Sequence, residues 1–74
     1  MILPKYLRLL FLLYGKGKVR IENRKKYGFT LNDVYMLEAY GFACRLGNHI
    51  EITDKGRKAA KEALDEIHKL TKGD

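Results

Sequence analysis

A chain of 74 residues with 46% hydrophobic and 32% charged side chains has the composition of one small folded domain and not of a disordered tail. Fifteen Lys and Arg against nine Asp and Glu leave a formal net charge of +6, which favours a polyanionic partner. The one cysteine, Cys44, excludes an internal disulfide framework and any Cys-based zinc finger, and it fits a reducing compartment.

The opening MILPKYLRLLFLLYG superficially resembles a secretory leader. Its longest apolar run, 9–14, is preceded by Arg8, no small-residue cleavage site follows, and the run is too short to span a bilayer. It reads as an amphipathic helix of a cytosolic protein. Pro4 suits the first turn of that helix. Leu7, Leu10, Phe11 and Tyr14 form one apolar stripe, and Leu9, Leu13 and Tyr6 form a second. A helix apolar on two faces must bury both, the second against the C-terminal helix or another subunit. Gly15 and Gly17 end it.

Residues 18–21 read as a short strand or a connecting segment, and 22–27 as a short helix. Gly28-Phe29-Thr30 is a turn. Thr30 is a good N-cap, with Asp33 three residues on as its capping-box partner. The helix it starts, 30–40, ends at Gly41, with Phe42 folding back as the hydrophobic contact. Val34, Leu37 and Gly41 share one side of this helix, flanked by Leu31 and Glu38. Asn32, Tyr35, Met36 and Ala39 lie opposite, on the side predicted to face outward.

A hairpin follows. Phe42, Cys44 and Leu46 alternate with Ala43 and Arg45, and Ile50 and Ile52 alternate with Glu51. A two-residue Gly47-Asn48 loop pairs Leu46 with His49 and sends Ile50 to the opposite face from Leu46. A three-residue Gly47-Asn48-His49 loop pairs Leu46 with Ile50 and Cys44 with Ile52, and sets Arg45 against Glu51 on the outer face. Because a one-residue slip inverts every side chain, the second register is expected, with Cys44 turned inward and His49 at the tip. Thr53 caps a last helix whose stripe is Ala60, Ala63, Leu64, Ile67 and Leu70, and Gly73 terminates it.

The order helix, strand or coil, helix, turn, helix, two strands, helix resembles the winged helix-turn-helix superfamily over nearly the whole chain. The residues that carry the likeness are Tyr27-Gly28-Phe29 at the turn, Leu37-Glu38-Ala39-Tyr40-Gly41-Phe42 leading into the hairpin, and Ile52-Thr53-Asp54-Lys55-Gly56-Arg57 entering the last helix. The last two are similar to signatures of MarR-like and PadR-like regulators. Tyr27, Phe29, Val34 and Leu37 match the apolar positions of a helix-turn-helix, while Asn23 and Arg24 stand where the first helix of the pair carries a small and an apolar residue. The resemblance implies a mostly helical α+β domain over 1–74, with a three-helix core, a two-stranded wing and a C-terminal helix. It implies a small DNA-binding transcriptional regulator.

In that setting GKGKVRIENRKK supplies phosphate contacts through Lys16, Lys18, Arg20, Arg24, Lys25 and Lys26, against the single acid Glu22. A solvated charged loop is the plainer reading of such a run. Helix 30–40 would lie at the major groove and present Thr30, Asn32, Tyr35, Met36 and Ala39, although it carries no Lys or Arg. Tyr and Met are also enriched at protein interfaces, so the same face fits a protein-contact module without base readout. From the wing, Arg45, Asn48 and His49 reach toward a groove or phosphate. The plainer readings are a cross-strand pair of Arg45 with Glu51 and an exposed loop histidine. Lys55, Arg57, Lys58 and Lys61 are solubilising charges. A homodimer through 2–14 and 57–71 would cover the doubly apolar first helix.

No cofactor is expected. Cys44, His49 and His68 are not at metal-ligand spacing. The chain has no serine nucleophile, no phosphate-cradling glycine loop and no paired-carboxylate site, so an enzyme is not expected. Neither is a small-molecule ligand or a membrane partner. The absence of Ser, Gln and Trp and the wealth of Lys, Arg, Glu and Ile match a thermophile bias, as in a thermophilic archaeon, virus or plasmid.

Overall fold

The computed structural model describes residues 4–71. Four helices pack with a three-stranded antiparallel sheet in the chain order α1 (Lys5–Lys16), β1 (Lys18–Arg20), α2 (Arg24–Tyr27), α3 (Leu31–Tyr40), β2 (Ala43–Leu46), β3 (His49–Ile52) and α4 (Asp54–Thr71). The expected helix over 22–27 divides into a 3₁₀ turn at Ile21–Asn23 and the single α-turn of α2. In α1 the helix runs through Gly15, and Gly17 alone ends it, with φ 85° and its N–H donating to the Leu13 carbonyl.

The core takes residues from α1, α3, α4 and all three strands. Leu9, Leu10 and Leu13 are buried, and Tyr6, Leu7, Phe11 and Leu12 are half-buried, so both apolar faces of α1 are largely used within the chain. The turn 28–30 holds Phe29 in the same core beside Val34 and Leu37. Thr30 caps α3 as its sequence predicts. Its Oγ1 accepts the Asp33 N–H and the Asp33 carboxylate accepts the Thr30 N–H, which satisfies two otherwise orphaned donors. At the far end the Gly41 N–H donates to the Glu38 carbonyl and the Phe42 N–H to the Leu37 carbonyl, a Schellman-type closure that turns the chain directly into β2.

The sheet departs from expectation. Its order is β1-β3-β2, so β1 is a true strand and β3 is paired along both edges. The hairpin has the two-residue Gly47-Asn48 loop. Leu46 pairs with His49, Arg45 with Ile50, Cys44 with Glu51 and Ala43 with Ile52. The three-residue register is therefore corrected. Cys44 and Leu46 are exposed, His49 is a half-buried strand residue instead of the tip, and Arg45 shares the inner face with Ile50. Three features favour this arrangement. Gly47 accepts the left-handed φ of 59° in the tight turn. The Asn48 carbonyl accepts the Ile21 N–H at 2.8 Å, which ties the loop to the 3₁₀ turn. Val19 pairs with Ile50, so both edges of β3 place an inner-face residue against buried Ile50.

Thr53 starts α4. Its Oγ1 accepts the Gly56 N–H and its hydroxyl donates to the Gly41 carbonyl at 2.7 Å, joining the end of α3 to the start of α4. Gly56 lies against the chain itself: a Cβ there would collide with the Phe42 carbonyl oxygen and meet Ile52 Cγ1 at 2.8 Å. Along α4, Ala60 is buried and Ala63 and Ile67 are half-buried, but Leu64 and Leu70 are 39% and 63% exposed. The expected single buried stripe is thus fully buried only at Ala60 and partly covered at Ala63 and Ile67. Gly73, expected to end α4, lies outside the described residues.

Two outcomes check this packing. Gly56→Ala should destabilise the chain by about 1–3 kcal/mol in urea unfolding, because the added methyl has no space. The Cys44 thiol should react with a thiol reagent in the native protein at close to its unfolded rate, whereas the inward register would protect it.

Candidate functional site

Two concavities collect six of the eight basic residues expected to contact DNA, leaving out Lys25 and Lys26. The first, about 390 Å³, is lined by Lys16, Lys18, Val19, Arg20, Asn23, Tyr27 and His49. The second, about 350 Å³, is lined by Ile21, Glu22, Arg24, Arg45, Gly47 and Asn48. Arg20 and His49 line the first and their chain neighbours Ile21 and Asn48 line the second, and the Ile21 N–H donates to the Asn48 carbonyl between them.

Their positions follow from local chain geometry. Alternation along β1 buries Val19 and turns Lys18 and Arg20 to the outer face of the sheet. The register sets Arg20 beside His49 and Lys18 beside Glu51. Arg20 bonds Glu22 at 2.9 Å, an exposed pair of small energetic weight. Arg24 Nη1 donates to the Ile21 carbonyl at 3.2 Å, which orients its side chain over the 3₁₀ turn. Lys25 and Lys26 are exposed on α2.

Tyr27, predicted only as an apolar turn residue, also organises charge. Lys16 Nζ lies 5.4 Å and Lys26 Nζ 5.6 Å from its ring centroid, distances at which a ring face attracts an ammonium group. Lys16 at the end of α1 and Lys26 on α2 are thereby held near each other through one aromatic ring. The two lysines are ten residues apart in the chain, so nothing in their spacing announced this.

The outward face of α3 is partly as expected. Thr30, Asn32, Tyr35 and Ala39 are exposed, with Tyr35 at 54%, while Met36 is half-buried. The two acids of α3 do not stand free on this face. Asp33 is buried in the capping box, and Glu38 Oε1 accepts from Arg45 Nη2 at 3.0 Å. Arg45 therefore does not form the expected cross-strand pair with Glu51. Its guanidinium also lies 5.3 Å from the Tyr35 ring centroid. The inner-face register makes this possible, because it aims residue 45 at α3 instead of at solvent.

Of the three wing residues, His49 thus joins the first concavity, and Arg45 and Asn48 join the second. Lys55 lies elsewhere, 5.8 Å from the Phe42 ring at the end of an aromatic row that continues through Tyr40 to Tyr6. Among the described residues no three His, Cys, Asp or Glu side chains are grouped so that they could hold a metal ion. No helix among them is long and apolar enough to cross a membrane. No protein-family model matches the chain, and no curated protein matches it either.

Proposed function

We propose that this chain is a winged helix-turn-helix domain that binds double-stranded DNA as a small, non-enzymatic transcriptional regulator. The element order and the β1-β3-β2 sheet are compatible with that topology. The observation that carries the reading is that Arg45, which lines one concavity with Arg24 and Asn48, also touches Tyr35 and Glu38 on the outward face of α3. Lys16, Lys18, Arg20 and His49 line the other concavity.

In this mechanism Lys16, Lys18, Arg20, Arg24, Lys25 and Lys26 neutralise backbone phosphates and release their counterions. Helix α3 offers Thr30, Asn32, Tyr35, Met36 and Ala39 at the major groove. Pairing with Arg45 offsets the repulsion that Glu38 would exert on phosphate, and Asp33 is turned into the cap of α3. A second copy would pack on the part of the α1 and α4 surface that the monomer leaves uncovered, notably Leu64 and Leu70. Residues 2 and 3 of the expected dimer surface lie outside the described residues. The competing use of the same fold is protein contact through α3, favoured by exposed Leu31 and Tyr35 and by Leu46 on the hairpin.

Salt titration separates the two. Six neutralised phosphates give a slope of about −5 in log affinity against log salt concentration. Replacing exposed Lys18 and Lys25 by alanine should reduce that slope by about 2 without lowering the melting temperature. An unchanged slope would identify a different surface, and no duplex binding at low salt would reject DNA as the partner. The dimer is checked by light scattering. Two chains of 8.6 kDa each should be found, and Leu64→Glu with Leu70→Glu should return the mass to one.

A further inference from the structure

The geometry points to Arg45 as the residue that selects sequence, by reading a guanine in the major groove. This inference rests on the DNA reading above. Helix α3 has no cation of its own, yet β2 delivers one to its outward face. Arg45 shares the inner sheet face with Ile50 but lies beyond the core, with its side chain about one-third exposed. Two contacts orient it: the bond to Glu38 at 3.0 Å, and the Tyr35 ring 5.3 Å from its guanidinium carbon.

The Glu38 partner decides between the two uses of an arginine at a DNA surface. A phosphate-gripping arginine acts through net charge. Here the adjacent carboxylate cancels that charge, so Arg45 adds little to electrostatic attraction. What remains is direction. Guanidinium has five N–H donors, and only one bonds Glu38 among the described residues. A planar fork held in orientation by Tyr35 and Glu38 is suited to the paired acceptors O6 and N7 of guanine, which no other base presents together. Arg24, on the other wall of the same concavity, has no carboxylate partner among the described residues and takes the phosphate role beside it. Asn32 and Ala39, neutral and exposed on α3, contribute shape and weaker contacts around the arginine.

The test is selection of duplexes from a randomised pool by the full chain. Competition titrations at one salt concentration then follow with wild type, Arg45→Lys and Glu38→Gln. Wild type should prefer guanine at one position per bound chain by roughly ten- to a hundredfold. Arg45→Lys keeps the charge but loses the fork. It should lose that single preference, with the other positions and the salt slope unchanged. Glu38→Gln should bind all duplexes more tightly, because it uncovers a net positive charge, while discriminating guanine less. Circular dichroism melts confirm that each variant folds. An equal loss on every duplex for Arg45→Lys would make Arg45 a phosphate contact and overturn the inference. So would wild-type binding without preference for guanine at any position, although the DNA reading would stand. Failure of wild type to bind any duplex at low salt would reject the DNA reading itself, and this inference with it.

Discussion

Pairing along both edges of β3 is the constraint on which the rest of the arrangement depends. One edge recruits β1 and brings Lys18 and Arg20 up against the hairpin. The other sets the register of β2 and so decides which way Arg45 points. Between them Ile50 is fully buried and ties the sheet to the helical core. The strand pairing and the bond from Ile21 to Asn48 tie the basic segment to the hairpin loop, and Arg45 ties the hairpin to α3. A slip of one residue along β3 would reverse every side chain of the hairpin and remove Arg45 from α3.

Charge on this surface is arranged by more than proximity. Three of the acids near it are absorbed, Asp33 into a cap, Glu38 into a pair with Arg45 and Glu22 into a pair with Arg20, while Glu51 lies beside Lys18 across the strands. Cations are placed on rings, with Lys16 and Lys26 against Tyr27 and Arg45 against Tyr35. Such contacts reduce the freedom of long side chains without removing their charge.

Two joints brace the helical half. Thr53 connects the end of α3 to the start of α4 through the Gly41 carbonyl, and Gly56 lets α4 approach Phe42 and Ile52 more closely than any side chain would allow. Beyond them α4 is buried only at Ala60, with Ala63 and Ile67 half-buried and Leu64 and Leu70 exposed. Eighteen residues span about 27 Å, and the molecule is correspondingly elongated at 44 × 24 × 20 Å. Leu64 and Leu70 on that extension are exposed apolar side chains.

Much of the fold was legible in the chain because it depends on neighbours in sequence. The Thr30–Asp33 cap, the Gly41-Phe42 closure, the Thr53 start of α4 and the two-sided apolar pattern of α1 are local signals, and each has its counterpart in the structure. The hairpin register was not legible. Ala43, Cys44 and Leu46 are all compatible with an inner face, and alternation alone cannot choose between loops of two and three residues. The choice came from β1 and from the 3₁₀ turn, partners contributed by segments about 30 residues upstream. The site divided in the same way. Its cations could be named from sequence because charge is a property of the residue. That Tyr27 gathers two lysines, and that Arg45 serves α3 and not the outer face of the wing, follow from distances between residues remote in sequence, which only the packed chain determines.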